Sequence, residues 1–475
     1  MKICVYAFAN TAYFFDRLIE ESRRRGEPVE WSAILPRWHH RERFSSLLSP
    51  EKYVYLYEQF DAVYTSLKGQ TPSFNLSPEF DNELLCLLKD KAGFRFLDGD
   101  EQLRRAATIV SIYRAFLEKE RPDYMVFPDL EVVDGFLLLA LCKSMGITPL
   151  YYVGMRSLGG GFFSADCYEQ LPKYFGPISD VHKEQARACL NRFISGKSCD
   201  LDAPLQSEPA DFKPLPLWRR IGLAIWMHFK YERRYAGEDG WVNRIKANVA
   251  RHLNAYRKWY FKRFQLRWFH LRDETTPLPA KYVLYALQYT PESSINGLEP
   301  YYVDQMRAMD LLLAGMPSDH RLIVKEHPAI VGVRPDSFYR ELRRKPGVLL
   351  AAPGLSTKRL IEEASLVASV TGTIGFESYL MDRPCLLFGR NFFSHLCAFG
   401  EGPASIRQLM IELICSPSPS DKDERVNALA RLLNVRYPIL LSDPVTTPEV
   451  LSKRNVSAFL EALHDHIRRL GAMTC

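Results

Sequence analysis

The chain has 475 residues, too many for one hydrophobic core and suited to two domains of about 200 residues with an insertion. With 47% apolar and 25% charged residues it is not a disordered chain, and its ten cysteines form no CxxC pair, so they read as small core residues in a reducing compartment rather than a zinc site or a disulfide scaffold. No stretch reaches the roughly 18 uncharged apolar residues of a membrane-spanning helix, and the apolar run in MKICVYAFAN is too short for a signal peptide, so a cytoplasmic protein is expected.

Lys2–Phe8 reads as a first strand, Phe14–Arg25 as a helix stopped by Gly26, and Val29–Leu35 as a second strand. The stretch from Arg41 to about Glu120 reads as mainly helical, with Leu103–Leu117 its cleanest amphipathic piece. Strand Tyr124–Phe127, helix Val133–Met145 and strand Leu150–Val153 then make one right-handed parallel unit. Beyond its first strand lie Asp129, Glu131 and, a helical turn on, Asp134; beyond its second lie Arg156, Ser157 and Gly159–Gly161. A carboxylate at a strand end can activate a hydroxyl as a general base, and an acid at a helix start can equally well be only a cap. The three glycines fit a flexible loop over a site or a plain linker.

A helix is expected around Asp180–Phe193, followed by a polar, proline-bearing connection, Ser195–Pro216. Lys213–Arg272 then holds fifteen Lys and Arg against three acids, a local +12 within a total of +6, which leaves −6 for the rest of the chain. Five of the seven tryptophans fall in the same segment. Such a basic-aromatic helical segment suits the surface of an anionic membrane. The competing readings are aromatics packed on a domain with solvated cations, and binding of another polyanion. No nucleic-acid-binding signature accompanies it.

From Thr276 onward, short apolar runs (Val283–Leu287, Leu322–Val324, Val348–Leu350, Leu366–Val370, Cys385–Phe388) alternate with helical patterns starting near Asp336, Ser356 and Gly375. Runs of this kind between helices describe a buried parallel sheet, whose ligands sit beyond the carboxyl ends of the strands. Three strand ends carry polar residues: Gln288 to Ser294 with Gln288 and Glu292, the run Lys325, Glu326, His327, Pro328, and the turn Thr371, Gly372, Thr373 with Glu377 in the helix behind it. Backbone N–H groups at that turn, with two threonine hydroxyls, suit a phosphate. His327, held at a strand tip by Pro328, can donate to the same group. Glu377 could accept hydroxyls of a ligand or simply complement the helix dipole. The DxD at Asp98-Gly99-Asp100 reads as a turn and cap, so no metal site and no cofactor are expected.

KEHP, the later VTGTIGFES and the upstream QYTPESS together resemble the bacterial capsule polysaccharide biosynthesis family, which includes Kdo transferases that use CMP-Kdo. The similarity is good over Tyr282–Phe393, thin over Tyr124–Ser157 and not visible elsewhere. It implies an α/β GT-B fold, two Rossmann-like parallel-sheet domains facing a cleft, with the donor nucleotide held mainly by the C-terminal one. The expected division is residues 1–212 as the acceptor-side domain, 213–275 as the basic-aromatic segment, 276–446 as the donor domain, and 447–475 as a helix returning to the first domain.

The resemblance implies a metal-independent glycosyltransferase that moves a sugar, Kdo from CMP-Kdo foremost, to a glycan or glycolipid at the inner membrane face beside other polysaccharide assembly proteins. In that scheme Asp129, Glu131 and His327 are the catalytic candidates. Asp134, Arg156, Gln288, Glu292, Lys325, Glu326, Pro328, Thr371, Gly372, Thr373 and Glu377 are the substrate-binding ones. A transferase using another nucleotide sugar, an epimerase of the same architecture and a noncatalytic assembly subunit remain open.

Overall fold

A computed structural model describes the chain except for residues 37–40, 68–97, 129, 131, 156, 173–176, 197–258, 262, 291–294, 296–298, 331–333, 401–402, 416–420 and 475. The described residues form two compact α/β units: residues 1–179 with 432–474, and residues 180–196 with 259–431. Among them no helix is long and apolar enough to cross a membrane.

The first unit is built on β1 (Lys2–Tyr6), β2 (Glu30–Leu35), β3 (Tyr53–Tyr55), β4 (Tyr124–Phe127), β5 (Thr148–Gly154) and β6 (Gly161–Ser164), in the order β3-β2-β1-β4-β5-β6. The first five run parallel and β6 returns antiparallel to β5. Helices on both faces bury all but the ends of the strands, which is why they read as continuous apolar runs rather than as alternation. Two strands escaped the sequence reading. β3 is only three residues long and sits at the sheet edge inside an otherwise helical region. β6 begins at Gly161, where the glycines form a tight reversal rather than a loop or linker: Gly159 and Gly160 have φ of 77° and 66°, and a Cβ on Gly161 would lie 2.5 Å from the Val153 carbonyl.

The chain's end completes this unit. Tyr437 exchanges backbone hydrogen bonds with Gly161 (2.8 and 3.0 Å), and the Tyr152 hydroxyl donates to the Ile439 carbonyl (3.0 Å). The last helix, Lys453–Thr474, places Phe459 against Phe14 and Phe163, with ring centroids 4.9 and 5.4 Å apart. The return to the first unit therefore starts near 432, earlier than the expected 447.

The second unit holds β7 (Tyr282–Ala286), β8 (Arg321–Lys325), β9 (Val348–Ala351), β10 (Leu366–Ser369), β11 (Cys385–Leu387) and β12 (Ala398–Phe399), all parallel, in the order β12-β11-β10-β7-β8-β9. Both sheets thus repeat one winding, outward on one side of the first strand and then outward on the other, the 3-2-1-4-5-6 order of dinucleotide-binding sheets. The reversal falls between β1 and β4 in one unit and between β7 and β10 in the other.

This unit is larger than the sequence boundaries implied. Helix Asp180–Ile194 belongs to it, with Lys358 Nζ donating to the Ile194 carbonyl (2.8 Å). So does the end of the basic-aromatic segment: His270 and Leu271 donate to the Leu350 carbonyl (2.9 and 3.0 Å), adding a bridge at the edge of β9. Within that end Phe261 and Phe269 are core residues and Trp268 packs beside them, as the packing reading expects, while Trp259, Phe264 and Leu266 are exposed. The remainder of the segment, 213–258 and 262, lies outside the described residues.

Candidate functional site

The carboxyl ends of β8, β7 and β10 are joined by a chain of buried polar contacts. At β8, Glu326 is 1% exposed. One of its oxygens accepts the His327 backbone N–H (2.6 Å), and the other accepts Arg334 Nε (3.0 Å) and the Tyr339 hydroxyl (2.8 Å). Burial pushes the Glu326 carboxyl upward in pKa, and Arg334, Tyr339 and the His327 N–H pull it back. The expected substrate ligand is instead an internal clamp that fixes the backbone carrying His327. Arg334 continues the chain by donating to the Gln288 carbonyl beyond β7 (2.7 Å).

Gln288 is itself buried and reaches the β10 turn, its carboxamide 2.9 Å from the Thr371 hydroxyl. Turned so that its oxygen faces the turn, it accepts from that hydroxyl and from the N–H groups of Thr371 (2.9 Å) and Gly372 (2.6 Å). Gln305 secures the other side: it accepts the Gln288 N–H (2.8 Å) and donates to the Gln288 carbonyl and the Thr290 hydroxyl (3.0 Å each). Two of the N–H groups expected to cradle a phosphate are therefore already answered from within. Among the described contacts the N–H groups of Thr373 and Ile374 make no hydrogen bond, so these open the turn toward a ligand.

The glycines of this turn have distinct causes. A Cβ on Gly372 would lie 2.6 Å from Ser369 Oγ, which accepts the Gly372 N–H (3.2 Å). A Cβ on Gly375 would press on Cys385 and Leu387 of β11 at 3.0 Å. One glycine permits the turn and the other lets helix Ile374–Leu380 lie against the sheet.

Around this floor stand the side chains with chemistry left to offer. His327 is half-buried beside the Tyr289 ring, edge to face at 6.1 Å, and Pro328 is exposed at the start of a short 3-10 turn. Lys325 is buried, its Nζ on the Pro353 carbonyl (3.2 Å), and burial lowers its pKa. Glu377 is half-buried with no hydrogen bond from its side chain among the described contacts. Burial raises its pKa against the opposing charge of Lys325. Glu299, which the sequence did not flag, sits beside Thr371 and Gly389, and burial pushes its carboxyl up to about 7 against a hydrogen bond and charge from Arg390.

In the first unit, at the reversal between β1 and β4, Asp134 accepts the Tyr6 hydroxyl (3.0 Å) and stands at the start of helix Val133–Ser144. Asp129, Glu131, Arg156 and Glu292 lie outside the described residues. Asp98 proves to be a cap, accepting the Glu101 N–H at 2.8 Å.

The described residues thus hold two Rossmann-wound α/β domains, the domain type that a GT-B fold calls for, and one of them carries a polar switch point. Residues 243–408, which carry that switch point, match the family described as capsule polysaccharide biosynthesis protein, so the resemblance read from KEHP and VTGTIGFES holds for this part of the chain. No curated protein matches the sequence. Among solved structures, the β-Kdo 2,4 transferase of Thermosulfurimonas dismutans KpsC is similar at 13% identity over 66% of this chain and 88% of its own, with a TM-score of 0.34. The β-Kdo 2,7 transferase of the same protein gives 9%, 95%, 99% and 0.34, and the UDP-GlcNAc 2-epimerase of Methanocaldococcus jannaschii gives 11%, 91%, 99% and 0.26. Scores of this size do not separate one activity from another.

Proposed function

We propose that the protein is a glycosyltransferase of bacterial capsule or surface polysaccharide synthesis, with a cytidine-nucleotide sugar, CMP-Kdo foremost, as its donor. The observation that carries this reading is the match of residues 243–408 to the capsule family, because that stretch contains His327, Gln288, Thr371 and Glu377 at the sheet reversal.

The residues divide the work as follows. His327 and the N–H groups of Thr373 and Ile374 hold the donor phosphate and stabilise its charge as the nucleotide leaves. Glu377 accepts ribose hydroxyls. In the first unit Asp129, Glu131 or Asp134 takes the proton of the acceptor hydroxyl, and the Tyr6 hydroxyl donates to Asp134. The chemistry needs neither a metal nor a second cofactor in this scheme.

The acceptor is a growing glycan or glycolipid at the inner membrane face, where the basic-aromatic segment meets acidic lipid. Exposed Trp259, Phe264 and Leu266 at its end suit the headgroup boundary. Incubation of the protein with CMP-Kdo and a capsule-type acceptor, with UDP-sugars as controls, tests the reading. Product only with CMP-Kdo supports it; turnover of a UDP-sugar without acceptor identifies an epimerase instead.

A further inference from the structure

The flank of the switch point away from His327 carries a carboxyl group that the scheme above leaves unused. Glu299 ends the loop after β7 and is held by its own backbone, its N–H on the Ile295 carbonyl (3.2 Å) and its carbonyl accepting the Tyr302 N–H (3.0 Å). Its side chain crosses over Gly389, just beyond β11. A Cβ at Gly389 would collide with Glu299 Cγ and lie 2.7 Å from Thr371 Cγ2. Glu299 and Thr371 therefore share one floor, where the ends of β10 and β11 meet.

From His327 at β8 to Glu299 at β11 the sheet spans three strand gaps, and a phosphate held between His327 and the Thr373 turn leaves two of them, about 10 Å, for the nucleoside. With its phosphate at His327 and the Thr373 turn, a nucleotide lying across these strand ends brings its base to the Glu299 side.

We propose that Glu299 reads the base of the nucleotide, pairing its carboxyl with the donor–acceptor edge of cytosine; this rests on the nucleotide-site reading above. The groups facing Glu299 are Arg390, through its N–H and its charge, and Tyr302, whose phenol is pushed up to about 12 by burial and by Glu299 itself. Burial outweighs Arg390, so the carboxyl is half protonated near pH 7. A protonated carboxyl presents one donor beside one acceptor. Cytosine offers the complement, an acceptor at N3 and a donor at N4. Guanine offers two donors, N1–H and N2–H, and suits the ionised carboxylate. Base preference should then follow the proton.

The test is calorimetric titration of the full chain with CMP and with GMP from pH 5.5 to 8.5, for wild type and Glu299→Gln. The ratio of the two affinities cancels the titration of the phosphate and of His327, which both nucleotides share. The preference for CMP should fall about tenfold per pH unit above 7 in wild type. In Glu299→Gln it should be retained and flat, because an amide also presents one donor and one acceptor. A wild-type ratio that does not change with pH, or a variant with the wild-type slope, overturns the proposal while leaving the donor site intact. If wild type binds neither nucleotide, the nucleotide-site reading itself fails. Should Glu299→Gln not fold, the wild-type ratio alone decides.

Discussion

Arg334 joins Glu326 to Gln288: its Nε lies 3.0 Å from the Glu326 carboxylate and its terminal nitrogen 2.7 Å from the Gln288 carbonyl. One guanidinium thus ties the end of β8 to the end of β7, and Gln288 passes the connection to the turn after β10. Removing Arg334 leaves a buried carboxylate without its cation. Arg334→Met should cost about 3–5 kcal/mol in urea unfolding, and Arg334→Met with Glu326→Met should recover most of that loss. Additive losses in the double variant would show that the two residues act independently.

Gly372→Ala forces a Cβ to within 2.6 Å of Ser369 Oγ and toward the Gln288 amide. We expect a loss of about 1–3 kcal/mol, partly restored by a second change, Ser369→Ala, which removes the obstructing oxygen. Thermal melting of the single and double variants measures this. If the second change restores nothing, the obstruction lies elsewhere, at Gln288 foremost.

His466 is 2% exposed in the last helix beside the Phe163 ring (5.3 Å), and burial, with a smaller push from Arg469, lowers its pKa to about 4. The unfolded chain binds a proton here below about pH 6.5 that the folded chain does not. Stability from this residue is therefore complete above pH 6.5 and is lost as pH falls toward 4, by about 3 kcal/mol. Urea unfolding at pH 7 and pH 4.5 should show a smaller difference in His466→Gln than in wild type. Equal differences in the two proteins would contradict this.

Much of the fold is legible in the sequence because burial on both faces makes a strand a plain apolar run. Tyr124–Phe127 has the same limits in sequence and structure, and the five runs of the second sheet all became strands. β3, β6 and the two-residue β12 were missed because very short edge strands and a glycine reversal leave too short an apolar run to read. The site was legible only in part. Strand-end position placed His327 and Thr371 at the sheet reversal, where the structure also has them, but spacing cannot say whether Glu326 faces a ligand or Arg334. Gln305 and Glu299 carried no local signal, since their roles depend on Gln288 and on Gly389, distant in sequence and adjacent in the fold.

The exposed end of the basic-aromatic segment gives a membrane prediction. The protein should sediment with vesicles rich in acidic lipid and be partly released as salt screens its cations over a Debye length of about 8 Å. Trp259→Ser, at an exposed ring, should lower the salt-resistant fraction without changing the melting temperature. Trp268→Ser should lower the melting temperature instead, because that ring packs on the core. Wild-type protein that ignores acidic vesicles at low salt would contradict the membrane assignment.

The most direct measurement of the central claim is calorimetric titration of wild type and His327→Ala with CMP, CDP, UDP and GDP. Cytidine nucleotides should bind best to wild type. His327→Ala should weaken them by about 10²-fold while melting at the wild-type temperature, as loss of one charge-assisted donor to a phosphate implies. Tighter binding of UDP or GDP, or unchanged binding of CMP by His327→Ala, would contradict the assignment of the switch point as a cytidine-nucleotide donor site.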